Sequence, residues 1–182
     1  IVWEDKRTAD YCQSLRGQYQ TKVSEKTGLS IDPYFSASKI RWLLDNVPSA
    51  RKLANQDRLA FGTVDSWILW NWLEDNQHLT DSTNASRTLL YNVHNLQWDQ
   101  GLLDVFKIPT EILPVAKSSA SNFGKLKSDV LGFSLSVLAV CGDQQASTYA
   151  AGTDDGTTKI TYGTGTFLAQ QIGDKFAIHR PF

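Results

Sequence analysis

The sequence contains no methionine, not even at position 1, and only two cysteines among its 182 residues. Cys12 and Cys141 are far apart and share no metal-ligand spacing, so a reduced compartment is the simplest setting. The three histidines, His78, His94 and His179, have no cysteine or carboxylate at such a spacing, and no dedicated zinc site is expected. Charge of one sign is also missing. Net charge is −1, which gives no electrostatic reason to expect nucleic acid or an anionic membrane as partner. No apolar run approaches the roughly 20 residues of a membrane helix. The chain opens on strand-like residues, Ile1-Val2-Trp3, and closes abruptly at Pro181-Phe182. With methionine absent, this reads as an internal piece of a longer protein.

What is present suits a folded domain. Hydrophobic residues make up 41%, and the length allows one domain with a sizeable core. Asp5 to Gln20 has a helical pattern, with Ala9, Cys12 and Leu15 on one face. Ile40, Leu43, Leu44 and Val47 fall at i, i+3, i+4 and i+7, and Pro48 stops that helix. Asp65 is placed to cap a helix from Ser66 to Glu74. Trp67, Ile68, Leu69, Trp70 and Trp72 make it apolar nearly all round, which predicts burial. Thr80 to Thr88 is polar and reads as a loop. Leu89 to Val93 reads as a strand, and Trp98 to Phe106 as a short helix ending before Pro109. Ser118 to Gly132 is the best loop candidate. No internal repeat is visible. The mixture argues α/β or α+β.

Two runs carry the chemistry. Gly142-Asp143-Gln144-Gln145 follows an apolar strand, Val137 to Val140, and opens a helix over 144–151. Such a β-then-α step places ligands beyond strand ends. It offers a carboxylate and two amides together. Then Thr157 to Ile172 reads as strand, turn and strand around Gly163-Thr164-Gly165. Glycines let a backbone approach closely, and consecutive N–H groups make an anion nest. Together the runs suggest an alcohol hydroxyl brought to a phosphoryl group. Asp143 also suits a plain helix cap, and Gly-Thr-Gly a plain hairpin turn.

Wider stretches resemble a known family. Tyr34-Phe35-Ser36-Ala37-Ser38-Lys39-Ile40-Arg41-Trp42-Leu43-Leu44-Asp45-Asn46 resembles a signature of the FGGY carbohydrate kinases. Phe61-Gly62-Thr63-Val64-Asp65-Ser66-Trp67, Thr83-Asn84-Ala85-Ser86-Arg87-Thr88, Gly142-Asp143-Gln144-Gln145-Ala146 and Tyr162-Gly163-Thr164-Gly165 all resemble the glycerol kinase branch. The likeness runs from Ile1 to about Gly173. It implies an α/β, ribonuclease-H-like or actin-like ATPase fold. Residues 1–182 would be part of the first domain, without its first strands, its first phosphate loop and an Arg-Glu pair that grips glycerol. The whole second domain would also be absent.

The resemblance implies ATP-dependent phosphorylation of glycerol to sn-glycerol 3-phosphate, with Mg²⁺ held mostly by phosphate oxygens. Asp143 would be the catalytic base, and Gln144 a ligand of a glycerol hydroxyl. Tyr34 would reach glycerol through its hydroxyl, and Trp3 and Phe167 would wall its carbon side. Gly163, Thr164 and Gly165 would form the second phosphate loop. From the residues alone, Gln144 also suits a solvated first turn, Tyr34 a half-buried aromatic, and Trp3 and Phe167 a core. Asp65 and Arg87 are expected to be structural. Lys125 to Leu131 lacks the histidine, and the Gly/Arg cluster, by which relatives are controlled at this loop. A cytoplasmic, homo-oligomeric parent is expected, with residues 1–182 inactive alone. Alternatives are a kinase of another small polyol or ketose, or a kinase-fold binding protein without catalysis.

Overall fold

A computed structural model describes residues 1–163, 165–173, 175 and 177. Thr164 and His179, both singled out above, lie outside the described residues. The chain divides into two units, Ile1–Val140 and Cys141–Phe182.

The first unit begins with helix α1, Ala9–Thr27. Its start is later than Asp5 because the Asp5 carboxylate is engaged locally. It accepts the Arg7 backbone N–H at 2.9 Å and the Arg7 guanidinium at 2.7 Å. Those bonds lower the Asp5 pKa to about 2. The helix passes Gln20 and stops where Gly28 takes a left-handed φ of 71° and returns its N–H to the Ser24 carbonyl. Such a C-terminal stop favours glycine. Helix α2 is Ser36–Asn46. It ends as expected: Val47, forced to extended geometry by Pro48, closes it. Helix α3, Ala50–Ala54, follows, then α4, Val64–Trp72.

Strands and short helices alternate after that: β1 Leu79–Asp81, α5 Ser82–Ala85, β2 Tyr91–Asn92, β3 Gln97–Trp98 and α6 Gln100–Phe106. A 3-10 turn at Thr110–Ile112 leads to β4 Val115–Lys117, β5 Ala120–Lys125, α7 Ser128–Leu131 and β6 Ser136–Ala139. β1 pairs with β4 in parallel, Leu79 opposite Val115. β2 pairs with β3, and β5 with β6, both antiparallel. The main core gathers Cys12 and Val23 of α1, Ile40 and Leu44 of α2, Leu89 and Leu90, and Leu102, Leu103 and Phe106 of α6. A smaller core joins Leu69 and Leu73 to Leu79, Phe123 and Leu126.

Five expectations need correction here. Helix α4 is not buried: Trp67 is 69% exposed and Trp70 43%, while only Asp65, Ser66 and Leu69 face inward. A helix apolar all round still buries only the side for which partners exist. Nor does Asp65 cap it. Thr63 holds that position, and Asp65 sits in the first turn, accepting the hydroxyls of Thr63 and of Thr80, the latter at 2.7 Å. Thr80 to Thr88 is not a loop but β1 running into α5, with Thr80, Asp81 and Thr88 buried. Polar side chains tolerate burial when each finds a partner, as these do: Thr80 donates to Asp65, Asp81 accepts from Thr83, Asn84 and Ser119, and Thr88 donates to the Ala85 carbonyl. Ser118 to Gly132 contains β5 and α7, because β6 supplies a ladder that local composition does not announce. The strand predicted over Leu89 to Val93 shrinks to β2, since Leu89 takes a φ of 67°.

The second unit is simpler. Helix α8, Asp143–Ala151, precedes strands β7 Thr158–Tyr162 and β8 Thr166–Gln170. The strands form an antiparallel hairpin in full register, from Thr158 opposite Gln170 to Tyr162 opposite Thr166. Helix and hairpin fall where the residue pattern put them.

Candidate active site

The two units carry different predicted residues, and each set stands on its own. In the first unit, Trp3 and Tyr34 meet. Their ring centroids lie 5.6 Å apart with planes at 53°. Trp3 occupies a turn in which Asp5 N–H donates to the Val2 carbonyl at 3.2 Å. Tyr34 occupies another, capped by Asp32, whose carboxylate accepts the Tyr34 N–H at 2.9 Å. A tilted ring pair of this kind contributes beyond simple burial. Phe35 extends it edge-on at 5.0 Å from Tyr34. Trp3 is exposed and Tyr34 half-buried, so the pair has a solvent-facing side.

Arg87 covers this aromatic group from another side, its guanidinium carbon 4.9 Å from the Phe35 ring centre and 5.8 Å from that of Tyr34. Its expected role is structural. The observed contact is a cation over aromatic faces. Lys39 was passed over altogether. It is 6% exposed, and its ammonium donates to the Val2 carbonyl at 2.7 Å and to the Tyr34 carbonyl at 3.3 Å. Burial pushes its pKa down, while Asp5 and Asp32 act in the opposite direction. A lysine among Ser38, Ile40 and Arg41 in a helical motif gives no sign of inward orientation by type.

In the second unit, Asp143 is the first residue of α8, exposed, with Gly142 at the cap position. Its side chain therefore does not cap the helix. Gln144 follows, its amide nitrogen 3.5 Å from a carboxylate oxygen of Asp143. The amide oxygen of Gln144 accepts from the Lys159 ammonium at 2.9 Å, and Lys159 also reaches the Ser147 hydroxyl. A hydrogen-bonded oxygen sets which end of the amide is which, leaving the NH₂ group on the side of Asp143. Lys159, on β7, was another residue the sequence did not single out. Carboxylate and amide then present an acceptor and a donor side by side, a set suited to a neutral hydroxyl.

The hairpin turn is less open than the residue types suggest. The Gly163 N–H donates to the Gly165 carbonyl at 3.1 Å. Gly165 leaves clearance for Phe167: a Cβ there would meet its ring at 3.2 Å, and the ring would have to give by a few tenths of an ångström. Phe167, on β8, is partly exposed. Among the described residues no group of three His, Cys, Asp or Glu is placed to hold a metal ion. A separate cavity of about 300 Å³, lined by Phe61, Ser66, Trp67, Trp70 and His78, contains none of the predicted residues.

Residues 1–150 match the model of the FGGY family of carbohydrate kinases, N-terminal domain. The chain belongs to that family. Glycerol kinase of Burkholderia multivorans is 51% identical over 177 residues, which cover 96% of this chain and 35% of that protein. Among solved structures, Plasmodium falciparum glycerol kinase with ADP superposes with a TM-score of 0.85 at 37% identity, over 92% of this chain and 34% of that one. Gluconate kinase of Lactobacillus acidophilus, at 22% identity, superposes with a TM-score of 0.80 over the same shares. The latter likeness concerns the fold alone. This FGGY chain spans about a third of the length of the relatives it matches. Its structural neighbours share the actin-like ATPase fold expected from the sequence, of which this chain covers part of the N-terminal domain. No helix among the described residues is long and apolar enough to cross a membrane.

Proposed function

We propose that residues 1–182 are the acceptor-side part of the first domain of an ATP-dependent glycerol kinase. The observation that carries this reading is the 51% identity to a glycerol kinase across nearly the whole chain. The site geometry supports it. Trp3 and Tyr34 make an aromatic wall with one open side, suited to the C–H edges of a small polyol. In the second unit, taken by itself, Phe167 offers an apolar surface and Gln144 an amide suited to a hydroxyl. Asp143 aligns the terminal hydroxyl by hydrogen bond and takes its proton as the bond to phosphorus forms.

ATP supplies the phosphoryl group, and Mg²⁺, when bound with it, neutralises charge on the phosphates. Transfer of this kind depends on positioning more than on base strength. A correctly placed general base contributes roughly 10²–10⁴-fold. Gly163 and Gly165 belong to the turn assigned to the phosphates. With the Gly163 N–H held inside the turn, contacts there fall to its other groups. We assign the parent to the cytoplasm as a homo-oligomer.

The reading is tested on the full-length kinase carrying Asp143→Asn. Glycerol binding should persist while turnover falls by at least 10²-fold. Turnover within a few-fold of the parent sinks the assignment. Substrate profiling decides the acceptor: a ketose or another polyol preferred over glycerol refutes glycerol specificity. The purified 182-residue chain should show no phosphotransfer.

A further inference from the structure

We propose that Lys39 is a positioning residue for the acceptor pocket, setting the spacing of Trp3 and Tyr34 by holding the backbone behind each ring. This rests on the assignment of those two rings to the acceptor.

Lys39 lies in α2 and its head group points away from solvent. Its two acceptors are the carbonyls of Val2, which precedes Trp3, and of Tyr34 itself. These carbonyls are 32 residues apart in sequence, on two turns that have no strand ladder between them. One ammonium therefore joins the two ring-bearing turns directly. The Val2 carbonyl already closes the turn around Trp3 through the Asp5 N–H, so Lys39 acts on that turn at its closing bond. A buried ammonium is tolerated only when its donors are used. Here the use coincides with the backbone of both rings.

A second tie lies beside it. The Thr8 and Ser38 hydroxyls bond at 2.7 Å in the interior, joining the segment after Trp3 to α2. That tie anchors the segment but touches neither ring. Arg87 lies over Tyr34 and Phe35 and leaves Trp3 alone. Lys39 thus bonds to the backbone on both sides of the Trp3–Tyr34 contact.

The chemistry requires a donor with more than one N–H at that point. Lysine provides three, and arginine provides five in a planar fork. Methionine matches the length of the stem but donates nothing. Removing the ammonium frees the Val2 turn to move against Tyr34, and an acceptor gripped between them binds less well. The reacting groups on α8 are not part of this linkage. The effect belongs in the acceptor KM and not in kcat.

The test is steady-state kinetics of the full-length kinase with Lys39→Met and with Lys39→Arg. The expected result for Lys39→Met is an acceptor KM raised about tenfold or more, with kcat within about threefold and the nucleotide KM unchanged. Lys39→Arg should recover most of the acceptor KM. A loss confined to kcat, a nucleotide KM that rises equally, or kinetics like the parent's overturns the proposal. If Lys39→Met does not fold, Lys39→Gln, whose shorter side chain cannot reach both carbonyls, takes its place and is compared with Thr8→Val, which cuts the neighbouring tie alone. An acceptor KM raised as much by Thr8→Val as by Lys39→Gln makes folding the only role of this region and overturns the proposal.

Trp3 is then read without catalysis. Acrylamide quenching, taken as the difference between each protein and its Trp3→Phe version, should rise in Lys39→Met and stay near the parent in Lys39→Arg. Unchanged quenching refutes the link between Lys39 and Trp3. Increased quenching with an unaltered glycerol KM leaves that link standing and refutes the assignment of the rings to the acceptor.

Discussion

Asp81 gives the sharpest quantitative expectation. It is fully buried and heads α5, where its carboxylate accepts five hydrogen bonds. The donors are the Thr83 N–H at 2.9 Å, the Thr83 hydroxyl at 2.6 Å, the Asn84 N–H at 3.0 Å, the Asn84 amide at 2.7 Å and the Ser119 hydroxyl at 2.5 Å. Asp81→Ala removes a helix cap, about 1 kcal/mol. It also strips a charged acceptor from three side-chain donors. Each such bond contributes about 1.5–3 kcal/mol, part of it regained when the half-buried donors meet water. About 1 kcal/mol net for each gives a total of about 4 kcal/mol. Asp81→Asn keeps shape and one oxygen, but sets an NH₂ against the Thr83 N–H. The hydroxyls can turn to accept from it and that N–H cannot, so about 2 kcal/mol is lost.

Urea unfolding followed by circular dichroism measures both. With a slope near 2 kcal/mol/M, the midpoint should fall by about 2 M for Asp81→Ala and about 1 M for Asp81→Asn. Acid provides the control. Burial works to raise the Asp81 pKa, but the hydrogen bonds of Ser119, Thr83 and Asn84 outweigh it and hold it below the usual carboxylate range. A lowered native pKa contributes stability above the unfolded value, near 4, and loses it as pH falls through the native one. The gap between parent and Asp81→Asn should therefore be full at pH 7 and narrow progressively below about pH 4. Equal midpoints at pH 7, or a gap that acid leaves untouched, refute the argument that a charged acceptor organises this corner.

Other expectations follow from the same contacts. Gly62→Ala would place a Cβ 2.6 Å from the Ser66 Cβ, so α4 must shift at its first turn; a loss of about 1–3 kcal/mol is expected in a thermal melt. Leu102→Ala empties a fully buried position in α6 and should cost about 2–5 kcal/mol in urea unfolding, with a cost under 1 kcal/mol contradicting the assigned core. Lys159→Met releases the Gln144 amide oxygen; the acceptor KM should rise severalfold in the full-length kinase, while an unchanged value would mean that Gln144 needs no orienting partner.

Legibility of the sequence followed how local each cause was. Helix α2 was readable because its apolar spacing and the proline that follows its closing residue are both local to it. The hairpin around Gly163 and the start of α8 were readable for the same reason. Helix α6 began two residues later than expected, since Asp99 takes the cap and its carboxylate accepts the Leu102 N–H. The buried polar corner of Thr80, Asp81 and Thr88 was invisible, because its burial depends on Asp65 and Ser119, which arrive from distant parts of the chain. Helix α4 misled in the opposite sense: five apolar residues announce burial only if enough partners surround them. In the candidate site, Trp3 and Tyr34 came from the family likeness and the structure brings them together. Lys39 and Lys159 were missed, since nothing in a lysine's sequence context says whether its ammonium meets water or a carbonyl.

The exposed indole face of α4 has an optical consequence. Four of the six tryptophans, Trp3, Trp67, Trp70 and Trp72, already face solvent in the folded chain. Their emission is expected to be red-shifted before any denaturant is added. Trp98 is different: half-buried, its Nε1–H bonded to the Pro114 carbonyl at 2.8 Å and its ring edge-on to Tyr91 at 5.3 Å. The wavelength maximum of whole-chain fluorescence will therefore move little on unfolding, and what movement there is will come mainly from Trp98 and Trp42. A fluorimeter would report this molecule as half unfolded while its main core is intact.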